Sequence, residues 1–531
     1  MNISTSAIDH LGLVAGIFDK LGIAEVIDKA IPKTRKHKVS HSDILKALVL
    51  NGLGFVDRRL YIFPDYIKKL AIERLFGKGI TAQNFNDDAT GRSLDQIFTY
   101  GPTKLFNEIA LKVMENLQLG TQLVHVDTTS FSVHGEYEGD DGMPAIEIVL
   151  GHPKDGRWDL KQFVLAMVSN QHGMPLFVQA HSGNKSDKKS IMESIQYIRE
   201  NLDLDDKVIY VADSAFFTAN NIKNMGQDCL WITRVPSTLK KAKDLLKDCL
   251  EMKPCADDRY TVFETIVSYA DIDQKWVVVD SKDLQKKKAK TFEKNLKKER
   301  SKAKSSLKKL KSISFACEAD AIKAANRWIA ERPRFLFKNL GVETVQKRIN
   351  GKRGRPRNDE ILEICYFIKA DIELNQERIE DEQSKLGRFI LASNDTEIEG
   401  EQMLQNYKGQ ISVERGFRFL KDKQFLVAEV YLKKNSRIEA LAMVMVLCLL
   451  VYSIAEWILR EKLAETGETV LNQLGKPTQR PTLKWVFSKF SGVNEATAYL
   501  ASRTHIQVTN LNDELRKIIR LLGQDCEKYY A

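Results

Sequence analysis

Through roughly the first 118 residues the apolar positions recur at helical spacing. In HSDILKALVLNGLGF, Ser42 stands where a helix N-cap belongs, and in GPTKLFNEIALKVMENLQL Pro102 opens an amphipathic helix. No alternation of period two lies between them, so residues 1–118 are predicted to be all-helical. At Gln122 the period becomes two. QLVHVDTTSF begins as a strand through Leu123, Val124 and Val126, then meets Asp127 and a row of hydroxyls, which predicts a strand end and then a polar turn. FVLAMVS and MPLFVQA, joined by NQHG, predict a hairpin. KKSIMESIQYIRENL reads as a helix, DKVIYVADSAFF as an apolar strand ending on Asp213, TANNIKNMGQ as a short helix and CLWITRV as a further strand. Strand, hairpin, helix, strand, helix, strand is the order of a mixed sheet with helices packed on it.

From about 240 to 395 the composition changes. SKDLQKKKAKTFEKNLKKERSKAKSSLKKLK (281–311) reads as either a solvated helix or an exposed basic arm. It lies between strand-like YTVFETIVSYADIDQKWVVVD on one side and CYFIKADIEL and GRFILAS on the other. The segment 240–395 is therefore expected to be a β-rich insertion with a basic helix, interrupting a core made of 119–239 and 396–460. Residues 461–531, marked by GKPTQRPT and then by amphipathic segments, are expected to form a helical C-terminal region. The apolar run ALAMVMVLCLLVYSIA (440–455) is shorter than the ~20 residues that span a bilayer. Arg437, Glu439 and Glu456 flank it, and it reads as a buried core helix.

Composition adds a partner class. A hydrophobic fraction of 43% and a charged fraction of 29% suit a globular chain, and 531 residues suit more than one domain. A net charge of +10 and a pI near 9.0 suit a polyanionic partner, or else a solvated basic surface. The seven cysteines include no C-x-x-C pair, which argues against a disulfide framework or a cysteine zinc site and suits a reducing cytoplasm. The N-terminal stretch lacks the basic and apolar regions of a signal peptide.

Asp127 and Asp213 share a description: each closes an apolar run and precedes small or hydroxyl residues. Turn formation accounts for either alone. Adjacent strand ends would bring the two together, where they repel unless a cation intervenes. Oxygen ligands favour Mg²⁺ or Mn²⁺ over zinc. A third carboxylate lies in NYKGQISVERGFRFLKD (406–422). Read as one helix turning ~100° per residue, it places Tyr407, Gln410, Glu414 and Lys421 near one face. An amphipathic helix with a solvated stripe accounts for the Glu and the Lys.

These motifs together resemble the DDE transposases of bacterial insertion sequences, in the group whose signature is Tyr, two residues, Arg, three residues, Glu, six residues, Lys. Tyr407, Gln410, Glu414 and Lys421 keep that spacing, with Gln410 in place of the Arg. Asp127 in HVDTTSF and Asp213 in VADSAFF match the two acidic motifs, and WITRVP resembles the stretch common after the second of them in that family. The resemblance covers roughly residues 120–455. It implies a mixed α/β fold with a ribonuclease-H-like core, a large β-rich insertion, a DNA-binding helical N-terminal domain and a helical C-terminal region. It also implies that Asp127, Asp213 and Glu414 are catalytic and hold two Mg²⁺ or Mn²⁺ ions, while Tyr407, Gln410 and Lys421 contact DNA phosphate. The implied activity is metal-dependent cleavage and strand transfer at terminal inverted repeats. The implied partner is double-stranded DNA, bound by a homodimer in the bacterial cytoplasm at the nucleoid, with no membrane. Gln410 brings no charge, so an Arg there is expected to tighten DNA binding.

GKRGRPR (351–357) adds a basic loop whose Arg-Gly-Arg-Pro resembles an AT-hook core; Lys352, Arg353 and Arg355 are read as nonspecific phosphate contacts. His125, His134 and His152 lie around the first acidic motif without the spacing of a helix-borne ligand pair. A catalytically silent DNA-binding protein and a metal-dependent nuclease without strand transfer are the competing readings.

Overall fold

A computed structural model describes residues 2–34, 38–54, 66–137, 144–202, 207–227, 229–248, 250–348, 362–422, 432–500 and 503–531. The GKRGRPR loop, with Lys352, Arg353 and Arg355, falls outside them.

The N-terminal segment is not all-helical. Asn2–Ala7 forms strand β1, which pairs antiparallel with Asn494–Leu500, and Arg503–Thr509 completes a three-stranded sheet. In residues 2–7 Ile3 is the one large apolar side chain and it is 59% exposed, so the local pattern carries little strand signal until the partner strand supplies it. The two chain ends thus share one core. A Cβ on Gly16 would lie 2.6 Å from Cys526 Cα, so only glycine lets the first helix approach the last so closely. The helix His41–Leu53 is capped by Ser40, not Ser42: Ser40 Oγ accepts from Asp43 N, and Asp43 accepts from Ser40 N. This reciprocal arrangement satisfies two otherwise orphaned donors.

The centre of the molecule is a nine-stranded sheet. Its strands are β2 (Leu123–Val133), β3 (Lys161–Asn170), β4 (Pro175–Ser182), β5 (Ile209–Ala212), β6 (Trp231–Val235), β7 (Lys253–Pro254), β8 (Tyr260–Tyr269) and β9 (Ile272–Ser281). After a separate hairpin of β10 (Phe335–Arg348) and β11 (Leu362–Leu374), β12 (Arg388–Ser393) returns to it. The order is β4-β3-β2-β5-β6-β12-β9-β8-β7. β2, β3 and β4 are antiparallel neighbours, and β5 and β6 run parallel to β2. That half is the ribonuclease-H-like arrangement.

The segment 240–395 contributes in two ways. Its strands β7, β8, β9 and β12 extend the central sheet through antiparallel pairing of β12 with β6. The rest, between Lys282 and Ser384, forms an outlying unit with its own small core of Ala303, Leu307, Ala321, Ala325, Trp328, Phe335, Ile368 and Ala370. The run 440–455 lies in the 32-residue helix Asn435–Thr466. By length and apolar composition this helix could cross a membrane, but 78% of its most apolar window is buried inside the fold. It packs on the N-terminal helices, on β4 and on the Asp513–Leu522 helix, as a core helix does.

Candidate active site

The sheet register brings the two aspartates together. Val126 of β2 pairs with Ala212 of β5, and Ala212 pairs with Thr233 of β6. The residues that follow these are Asp127 and Arg234, still within their strands, and Asp213, just past the end of β5. Because side chains alternate along a strand, these three lie in one row on one face of the sheet. On that face Val211, Ile232, Leu391, Val277 and Val279 pack against Met403 and Leu404 of the helix Gly400–Lys408. The inserted strands hold this helix in place. Glu264 of β8 accepts from Gly400 N at 3.0 Å, and Lys275 of β9 donates to the Ile398 carbonyl at 2.9 Å.

β2 does not end on Asp127. It continues to Val133 against β3; what stops at Asp127 is the parallel pairing with β5. The hydroxyls after it belong to a strand and not to a turn. Thr128 Oγ1 donates to Asp187 at 2.9 Å, and Ser130 Oγ accepts from Lys154 N at 2.9 Å. Asp127 therefore has no ladder partner on the β5 side and a full antiparallel ladder on the other. Asp213 does sit at a strand end, where its carboxylate accepts from Ala215 N at 2.8 Å and its carbonyl from Thr233 Oγ1 at 2.8 Å.

The stretch 406–422 is two helices, Gly400–Lys408 and Ile411–Leu420, joined at Gly409 and Gln410. At the joint Gly409 N bonds to Asn406 O and Gln410 N to Tyr407 O, a tighter three-residue winding. Tyr407 remains at the carboxylates, and Glu414 is exposed in the first turn of the second helix. Gln410 does not lie with them. It is 6% exposed, and its Nε2 donates to the Val126 carbonyl at 3.0 Å. It ties the joint to β2 at the residue before Asp127. Beside it His125 is 1% exposed and packs on Gly409, where a Cβ would lie 2.6 Å from the imidazole. Burial lowers the His125 pKa to about 4, so the ring is neutral at pH 7. His134 and His152 are exposed. His152 makes an edge contact with Trp158, with ring centroids 5.7 Å apart.

Electrostatics place the remaining groups. Burial pushes the Asp127 pKa up to about 6; Lys154 opposes this, and Asp213 and Glu414 add to it by repulsion. Burial pushes Tyr407 up to about 12, with Arg234 opposing and Asp213, Glu414 and Asp127 reinforcing. The three carboxylates and Arg234 thus all lie within range of Tyr407. Lys421 closes the far side with its ammonium 5.4 Å from the Phe131 ring centroid. Burial lowers its pKa; Asp155 and Asp127 act in the opposite sense.

Over residues 118–451 the chain matches the Transposase DDE domain family. The chain belongs to the DDE transposase family. In this transposase, residues 3–111 match a second family, described as a domain of unknown function (DUF4277). No curated protein matches the chain.

Two residues of the transposase site are not evident from the sequence motifs. Arg234 stands in WITRV, where a charged residue interrupts an apolar strand, and that interruption is its only signal. Its guanidinium lies over the Phe389 ring at 5.0 Å. Lys154, from a long connection between β2 and β3, donates to the Thr128 carbonyl and pairs with Asp187 at 3.4 Å. Nothing in its local sequence points to Asp127.

The donor chemistry suits a hard divalent cation: oxygen ligands only, one of them a partly buried acid whose charge its neighbours oppose. Among the described residues, no three His, Cys, Asp or Glu side chains already form a cage that could hold a metal ion. The carboxylates converge without closing on a point.

Proposed function

We propose that this transposase binds the terminal inverted repeats of an insertion sequence and carries out metal-dependent cleavage and strand transfer there. The observation that carries the reading is the row of Asp127 and Asp213 on adjacent parallel strands, facing Tyr407 and Glu414. Asp127, Asp213 and Glu414 would hold two Mg²⁺ or Mn²⁺ ions. Such ions supply charge stabilisation to the attacking and leaving oxygens of an in-line displacement at phosphorus. The chain's own residues position the DNA. Lys421 and Arg234 stand on opposite sides of the carboxylates and offer cations to the phosphates flanking the cleaved bond. The Tyr407 hydroxyl, held protonated at neutral pH, is available to donate a hydrogen bond to a phosphate oxygen. With Gln410 turned inward, Arg234 is the cation we place where the family signature puts an Arg. Two copies on DNA would bring two element ends together.

The test is a nicking assay on a supercoiled plasmid carrying the DNA that flanks the gene, with Mg²⁺ and with EDTA. Mg²⁺-dependent nicks at the element ends, and then joined products, are expected. Tight end binding with no nicking would favour a catalytically silent DNA-binding protein; nicks without joined products would favour a nuclease. Arg234→Gln is expected to lower cleavage about 10- to 100-fold, with Arg234→Lys intermediate, because a point charge replaces a bidentate fork. Unchanged cleavage by Arg234→Gln would remove this residue from the site.

A further inference from the structure

The helix Lys282–Lys311 carries fourteen basic and three acidic side chains, a net charge of +11. The whole chain carries +10, so the rest of the molecule is slightly acidic and the entire positive excess sits on this one helix. Within it Lys282, Lys286, Lys290, Lys294, Lys298 and Lys302 recur every fourth residue, and all six are exposed. Of the thirteen lysines on the helix, Lys311 alone makes an ion pair among the described residues, with Asp371 at 3.2 Å. Like charges at this spacing destabilise a helix. A helix that is merely solvated alternates its charges and avoids that repulsion.

The helix is also held rigidly. Ser281 caps its start by accepting from Leu284 N at 3.3 Å. Midway, Phe292 lies under the Arg334 guanidinium at 5.1 Å, and Arg334 pairs with Glu299 at 2.8 Å. Near its end Ala303 and Leu307 enter the core of the outlying unit. Its near end approaches Arg234. It grows directly out of β9, whose Val279 pairs with Phe389, the ring under Arg234. Lys288, two turns in, has its pKa lowered by burial first and by the charge of Arg234 second.

We propose that the Lys282–Lys311 helix is an arm along which duplex DNA lies as it leaves the cleavage site, its lysines set against the phosphates. The proposal rests on the transposase reading of that site. At 1.5 Å per residue the arm is about 45 Å long, which matches about 13 base pairs at 3.4 Å each.

The test compares two fourfold variants of the full chain. In one, Lys286, Lys290, Lys294 and Lys298 are replaced by Gln. In the control, Lys240, Lys243, Lys247 and Lys476, exposed lysines elsewhere, are replaced by Gln. Binding to a duplex reaching about 15 base pairs beyond the cleaved position is measured from about 50 to about 300 mM salt, a range over which released counterions set the slope. Losing four phosphate contacts is expected to flatten the slope of log affinity on log salt by about 3 to 4 and to weaken binding at least tenfold near 150 mM. On a duplex cut back to about 4 base pairs beyond that position, arm variant and unaltered protein are expected to bind alike. Thermal melting is expected to hold steady or rise, since the substitutions relieve like-charge repulsion. An unchanged slope in the arm variant, or the same flattening in the control, overturns the arm while leaving the reading of the site standing. If the unaltered protein shows no Mg²⁺-dependent nicking, both fall.

Discussion

Asp127→Asn is expected to abolish cleavage and to make the metal-free protein more stable. The first effect comes from geometry. Asp127 and Asp213 directly follow the registered pair Val126 and Ala212, with Glu414 within electrostatic range, and removing one of three converging carboxylates should lower the cleavage rate on the order of 10³-fold or more. Asp213→Asn and Glu414→Gln should do the same, with end binding kept, because phosphate contacts supply most of the affinity. Cleavage at the normal rate by any of the three would take that residue out of the catalytic set.

The second effect comes from the raised pKa. Asp127 is partly buried, and its pKa stands near 6 against 3.8 for the ordinary group. Between those values the folded state binds more protons than the unfolded one, so stability falls as pH rises through that window. At pH 7 the charged carboxylate is a liability of about 1–2 kcal/mol after allowance for solvent. An amide carries no such penalty. The Tm of Asp127→Asn should rise by about 1–2 °C at pH 7 without divalent metal, and the gain should vanish below about pH 4. The same linkage makes metal binding weaken as pH falls through 6, since the proton and the cation compete for one carboxylate. Calorimetry at pH 4 and pH 7 decides it: equal Tm differences at the two values would mean that Asp127 carries no charge penalty.

Gln410→Arg is expected to damage the enzyme and not to tighten its grip on DNA. From the signature spacing alone, an Arg at this position should clamp a phosphate. In the fold, Gln410 is buried at the joint between two helices, donates to the Val126 carbonyl and sits beside a neutral His125. An Arg there would bury a charge without a partner, at a cost of about 3–5 kcal/mol. The joint would shift, and with it Tyr407 three residues before and Glu414 four residues after. A displacement of about 1 Å at reacting groups costs about 10²-fold, so cleavage should fall by at least that much. Gln410→Met, close in volume, loses only the hydrogen bond and should cost about 1–3 kcal/mol. Urea unfolding and nicking rates for both variants, side by side, are the measurement. A stable Gln410→Arg with tighter end binding would show that the joint opens in the DNA complex and that the residue turns outward.

The amino-acid pattern determined the kinds of element and the chemistry they carry. Period-two runs marked the strands around Asp127 and Asp213, and the long apolar run marked the core helix of Asn435–Thr466, because these patterns depend only on which faces of an element are buried. The signature spacing drew Tyr407, Gln410, Glu414 and Lys421 on one face, and in the fold Tyr407, Glu414 and Lys421 lie within electrostatic range of Asp127. Pairing partners were decided by the tertiary structure. The pairing of Asn2 with Tyr499, the registration of Val126 with Ala212 and of Ala212 with Thr233, and the union of β12 with β6 join residues far apart in the chain, and no local period encodes a partner. Side-chain direction at the helix joint was likewise decided by packing. Three-residue winding replaces the expected turn where Gly409 must pass His125, and that single close approach turns Gln410 away from the face the sequence drew for it.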